Sequence, residues 1–216
     1  MNMKLLKLLG ALLLLFSCKG SKDFYGTYES GTYSLELKKD YSFVYRENKG
    51  LLNRVSNGVW EDATNGKVVL KSGIDINQIP ILVSHEQDLS LSKGVIQFTI
   101  ENQEKLDKDC VKEINLILND DIVIPLKEFG THTLLIEYNV KTIKIELLLD
   151  DVVLVGSNEK LTSASYIISE PNQNKISILT SFTNSLFNYI TIKSDTIVIK
   201  KNKAVWLNND NKIFVK

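Results

Sequence analysis

Arginine is scarce in this chain: Arg46 and Arg54 stand alone among 26 basic residues. Acids number 26 as well, so the formal net charge is zero. A balanced, interspersed surface has no electrostatic drive toward nucleic acid, which rests on clustered Lys and Arg. Histidine and cysteine number two each. His85, His132 and Cys110 are scattered along the sequence, whereas a zinc site takes three or four ligands, usually at short spacings. No metal and no other cofactor is therefore expected. Cys110 follows Asp107 and Asp109, acids that raise a thiol pKa, so it reads as an inert thiol and no catalytic residue is assigned. The acid pairs Glu61-Asp62, Asp120-Asp121 and Asp150-Asp151 read as turn acids, because neighbouring residues on a strand point to opposite faces and cannot flank one bond. Helical periodicity is missing too. The exceptions are two short stretches, Gln103 to Cys110 and Thr180 to Phe187, each with room for a turn or two.

The beginning of the chain has its own pattern. Lys4 and Lys7 give a positive start, and Leu5 to Phe16 form an apolar run too short for a bilayer, which takes roughly 20 residues. The next residues, with the end of that run, are Leu15-Phe16-Ser17-Cys18, followed by the polar stretch Lys19 to Asp23. This arrangement resembles the lipobox of bacterial lipoproteins, although Phe16 stands where a small or branched residue is common. The resemblance implies a signal peptide over 1–17, cleavage before Cys18, acyl chains on Cys18 (palmitate among them) and a lipidated tether over 18–23. It also implies a protein held at the membrane by that anchor. Lys19 occupies the place of an inner-membrane retention Asp, which implies the outer membrane; the periplasmic face is expected.

From Phe24 onward the signal is period two, which marks half-buried strands. Leu35 to Lys38, Ser42 to Arg46, Thr142 to Glu146 and Ile190 to Lys193 alternate in this way. Leu147-Leu148-Leu149 and Val152 to Val155 are denser and suggest burial on both faces. Turns at Asn65-Gly66, Asn119-Asp120-Asp121 and Ser194-Asp195 separate such runs. Val59-Trp60 and Val205-Trp206 each lead through an Asn-containing turn to a Lys-flanked apolar strand. Lys212 and Lys216 bracket the last one as if it were a protected sheet edge. The expectation is an all-β, mainly antiparallel protein. An antiparallel meander or partial barrel over 24–78 is followed by a β-sandwich-like part over 79–216, and strands from 187 onward pack back on the meander.

Gly26-Thr27-Tyr28, Leu35-x-Leu37-x-x-Asp40-x-x-Phe43-x-Tyr45 and Gly58-x-Trp60 resemble the opening meander of lipocalin-like bacterial lipoproteins. The resemblance implies that the Gly starts the first strand, the Leu pair faces a barrel, and the Trp closes one end. Phe43 and Trp60 are expected in the core. Tyrosines crowd this stretch, and their apolar bodies with polar tips suit a ligand at a barrel mouth. Tyr28, Tyr33, Tyr41 and Tyr45 are the candidate ligand-binding residues, with Tyr28 and Tyr33 on a wet edge and Tyr41 and Tyr45 on the face of Phe43. Taken together, these features point to a lipid-anchored envelope protein that binds a partner protein or small ligand without catalysing a reaction. A lipocalin-like carrier of a small apolar ligand is the alternative, and an envelope hydrolase the more distant one.

Overall fold

The computed structural model describes residues 24–50, 52–150, 158–170, 172–208 and 212–216. The segment expected to be a signal peptide, Cys18 and the expected tether lie outside the described residues, as do Val152 to Val155. The protein is all-β. Five strands come first: β1 (Gly26–Ser30), β2 (Tyr33–Leu37), β3 (Ser42–Lys49), β4 (Leu52–Ala63) and β5 (Lys67–Ser72). Nine follow: β6 (Ile81–Glu86), β7 (Val95–Asn102), β8 (Val111–Leu118), β9 (Ile122–Leu126), β10 (Gly130–Leu135), β11 (Thr142–Leu149), β12 (Lys160–Thr162), β13 (Tyr166–Ile167) and β14 (Lys175–Thr180). The last three are β15 (Asp195–Lys200), β16 (Lys203–Trp206) and β17 (Lys212–Val215). In place of the two expected helical stretches there are only short 3-10 segments, Lys108–Cys110 within the first and Asn184–Asn188 overlapping the second.

Strands from both ends of the sequence form one closed barrel in the order β1-β17-β16-β15-β5-β4-β3-β2. β17 is therefore no edge: it pairs with β16 on one side and β1 on the other. Its lysines flank an interior stave. Inward residues alternate along each strand, with Leu35, Leu37, Phe43, Tyr45, Trp60, Leu70, Ile197, Trp206 and Phe214 all buried in one cluster. In an eight-stranded barrel the lumen is just wide enough for side chains to fill it. Here aromatic rings do much of the filling, with Trp206 against Tyr45 at 4.9 Å and against Phe214 at 6.2 Å between centroids.

The chain between β5 and β15 makes two more sheets, ordered β10-β7-β14-β6 and β12-β11-β8-β9, with β13 added beside β11. Only β7 and β14 run parallel among these named pairs. Phe98, Ile100 and Ile178 from the first sheet share one apolar cluster with Leu116, Ile143 and Ile145 from the second. The sandwich is thus an insertion into the barrel. Three-residue turns close the β4–β5 and β8–β9 hairpins. Asn65 and Gly66, and likewise Asn119 and Asp120, take the left-handed conformation that Gly, Asn and Asp tolerate best.

Where the insertion rejoins the barrel, the sequence expectation fails. Ile190 to Lys193 is not a strand, and Ser194-Asp195 is not a hairpin turn. The alternation arises because the segment is an extended crossover whose residues meet the barrel wall in turn. It docks beside β4. Gly58 is where β4 changes partners: beyond it the strand pairs with β5, while before it Val55 bridges to Tyr189. A side chain at Gly58 would run into the backbone of Lys71, Ser72 and Gly73, so the close approach requires glycine. Ser72 then stitches the crossover down. Its N–H donates to the Ile192 carbonyl at 2.7 Å, and its hydroxyl accepts the Ile192 N–H at 2.7 Å. Ser56 Oγ lies 2.7 Å from the same hydroxyl. The Ile190 N–H reaches the Val55 carbonyl, and Tyr189 Oη donates to the Asn57 carbonyl.

Two substitutions test this packing. Trp60→Ala removes a buried ring and should cost about 3–5 kcal/mol in urea unfolding; a loss below about 1 kcal/mol would place the ring outside the core. Ser72→Ala strands the Ile192 N–H and the Ser56 hydroxyl, and should cost about 1–3 kcal/mol by the same measurement.

Candidate functional site

The four candidate tyrosines do not form one site. Tyr28 faces the lumen, 1% exposed, and its hydroxyl donates to the Phe24 carbonyl at 2.7 Å. It is core, not a wet edge. Tyr41 is 59% exposed and sits at the β2–β3 turn with φ +65°, a left-handed conformation that breaks the alternation and takes it off the face of Phe43. Its ring lies over Trp60, at 4.9 Å and 42°. The indole N–H of Trp60 donates to the Lys38 carbonyl of that turn. Trp60 and Tyr41 thereby cap one end of the barrel.

Tyr33 and Tyr45 lie toward the other end, on the inner faces of neighbouring strands, their rings stacked at 6.5 Å and 10°. A cavity of about 320 Å³ opens here, with Tyr45, Glu47, Lys49, Arg54, Asp195 and Trp206 on its walls. Lys212 and the crossover residues Ile190, Thr191 and Ile192 complete the lining. Each group is there for a local reason. Phe43, Tyr45 and Glu47 are every second residue of β3, so the inward row that builds the core carries a carboxylate to the rim. Arg54 is the cross-strand partner of Glu47 on β4. Asp195 and Lys212 are the first residues of β15 and β17, and Trp206 is the last of β16.

The electrostatics are specific. Glu47 is 5% exposed, and its charge is met by Lys49 Nζ at 2.6 Å. That hydrogen bond holds the Lys49 ammonium above its usual pKa. Asp195 accepts the Trp206 indole N–H at 2.8 Å and the Asn208 amide at 3.2 Å, one on each oxygen. Lys212 Nζ stands 4.0 Å above the Tyr33 ring, within cation–π range. Tyr45 is 1% exposed and its hydroxyl has no hydrogen-bond partner among the described residues. Burial first, and then the Glu47 carboxylate, push its phenol above the ordinary value, so it stays protonated and able to donate at neutral pH. Arg54 Nε is buried and unpartnered as well. A buried polar atom left without a partner costs free energy, and such sites call for an explanation.

Two further clefts lie at the ends of the sandwich. One, of about 520 Å³, sits among the loops around Asp88, Gly94, Tyr138 and Asn174; the other, of about 380 Å³, lies between Leu106, Ile114 and Phe129. Neither gathers charged groups on a buried aromatic floor as the barrel mouth does. His85 and His132 belong to β6 and β10, the two edges of one four-stranded sheet, three strand spacings or roughly 14 Å apart. Burial and the acids Asp107, Asp109 and Asp150 raise the Cys110 thiol above its ordinary pKa, which disfavours the thiolate. Among the described residues, no three His, Cys, Asp or Glu side chains are grouped to hold a metal ion.

Glu47, Arg54, Asp195, Trp206 and Lys212 were not singled out as site residues by the sequence reading. The inward register of β3 carried a signal for Glu47, since Phe43-x-Tyr45-x-Glu47 continues one row. No known family, curated protein or solved structure matches this chain.

Tyr45→Phe keeps the ring and deletes the unpartnered hydroxyl. It should leave stability unchanged or raise it by up to about 1 kcal/mol, against the loss usual for a core substitution. Chemical denaturation measures this directly, and a clear loss would mean that the hydroxyl is satisfied inside the fold.

Proposed function

We propose that the protein is a lipid-anchored component of the cell envelope that acts by binding, with the barrel mouth as its site for a small polar ligand. The observation that carries this reading is the pair of buried, unpartnered groups, Tyr45 Oη and Arg54 Nε, beside one cavity. Two such groups facing one cavity are open to a bound molecule that would satisfy both. Aromatic walls with a few placed polar groups are the usual make-up of a small-molecule pocket. A carrier of apolar cargo inside the barrel is less well supported, because Tyr45, Trp206, Phe214 and Phe43 occupy the lumen. A hydrolase is less well supported because the two histidines sit on opposite sheet edges, away from any shared nucleophile site.

The anchor belongs to the same reading. Among the described residues no helix is long and apolar enough to cross a membrane. Acyl chains on Cys18 would hold the domain at the outer membrane, on the periplasmic face, where confinement raises its effective concentration toward other envelope components. The tether over 18–23 supplies reach.

Cys18→Ala should move the protein from the membrane fraction to the soluble one, and the native amino-terminal peptide should carry acyl mass. Unchanged fractionation with a bare thiol would overturn the anchor. For the site, the low-molecular-weight fraction of an envelope extract should shift the Trp206 indole N–H resonance saturably while leaving that of Trp60 in place. The chain has two tryptophans, and they lie toward opposite ends of the barrel. A fraction that moves neither, or moves both alike, would refute the mouth as the binding site.

A further inference from the structure

We infer that the barrel mouth recognises an oxyanion, a carboxylate or phosphoryl group on a small organic ligand, seated between Arg54 and the Tyr45 hydroxyl with Lys212 at the rim. This inference rests on the mouth being a binding site and adds the chemistry of what it holds.

The argument is an accounting of donors and acceptors. Both acidic groups in the lining already have hydrogen-bonding partners. Glu47 is tied to Lys49, and each Asp195 oxygen accepts an N–H, from Trp206 or from Asn208. Thr191 accepts the Ile76 N–H and donates to the Ile74 carbonyl. The groups left over are donors. Arg54 Nε can only donate, and the protonated Tyr45 hydroxyl donates as readily as it accepts. Charge points the same way. With Glu47 and Lys49 cancelling, Arg54 and Lys212 face the single carboxylate of Asp195, leaving an excess of one positive charge.

Geometry fits as well. Glu47 pairs with Arg54 and Tyr45 with Ser56, so Tyr45 and Arg54 are diagonal neighbours on the inner face, within reach of one small group. An arginine presents Nε–H beside an Nη–H as a planar edge that suits two oxygens of one anion. Lys212 stands over Tyr33 rather than on a carboxylate, so its charge is free to turn toward a ligand. Bonding at Arg54 and Tyr45 would be sheltered from water, where charge-assisted hydrogen bonds are strongest.

The test titrates the full chain with acetate, inorganic phosphate, sodium chloride and glucose at matched ionic strength, following the two indole N–H resonances. Acetate or phosphate should shift Trp206 saturably, with Trp60 unmoved. Whichever acts tells a carboxylate ligand from a phosphoryl one. Arg54→Gln and Tyr45→Phe should each weaken that binding about tenfold or more, with the Trp60 resonance kept as evidence of an intact fold. A shift by glucose alone would overturn the oxyanion while leaving the mouth as a site. Equal effects of chloride, or no effect of any anion while an envelope extract still shifts Trp206, would overturn it too. Binding unaffected in both variants would do the same.

Discussion

The closed barrel depends on how the chain is held where it comes back from the sandwich. β5 ends at Ser72, more than a hundred residues leave for the insertion, and the return path passes the same serine. Its hydroxyl and amide hold Ile192 from both sides, and Ser56 fixes the hydroxyl from the neighbouring strand β4. Gly58 makes this possible by letting two backbones come closer than any side chain would allow. With Ile192 fixed, Asp195 falls opposite Leu70, and β15 joins β5 in register. The same few contacts place Ile190, Thr191 and Ile192 as one side of the mouth. Barrel closure and the shape of the cavity are therefore consequences of one junction.

The barrel divides its interior by polarity along the strands. Toward one end the rings of Trp60 and Tyr41 form a lid with the indole nitrogen satisfied by the turn. In the middle, aromatic rings meet edge to face and fill the lumen. At the far end the inward row turns polar within two residues, from Tyr45 to Glu47. Charge is tolerable there because each carboxylate has donors and the lysines keep their ammonium heads near water. The unpartnered phenol and guanidinium nitrogen are the exceptions, and both residues line the mouth.

Period two was sufficient to read the class and most of the staves. Leu35, Leu37, Phe43 and Trp60 are buried as their pattern indicates, because each needs only its own strand and a core to face. Asn65-Gly66 and Asn119-Asp120 marked hairpins because a left-handed turn leaves a local signature. What lay beyond reading depends on partners distant in sequence. Ile190 to Lys193 alternates like a strand yet serves as a crossover, since the groups that decide its state, Val55 and Ser72, lie over a hundred residues away. Lysines around β17 suggested an edge, but pairing with β1 is set by closure. Of the candidate tyrosines, Tyr45 lines the mouth and Tyr33 stacks beside it, while a single positive φ sends Tyr41 outside. Asp195, Trp206 and Lys212 carry no mark of the site, because they meet Tyr45 only once the barrel exists.

The insertion has a temporal side. A chain growing from its amino end completes β1 to β5 and then the entire sandwich before β15 is made. Until then the early staves form an open curl whose two rims, β1 and β5, display unpaired backbone, the geometry that recruits neighbouring chains. Pairings so distant in sequence are slow to form. Synthesis that stalled short of Asp195 would release an unsealed trough rather than a smaller barrel.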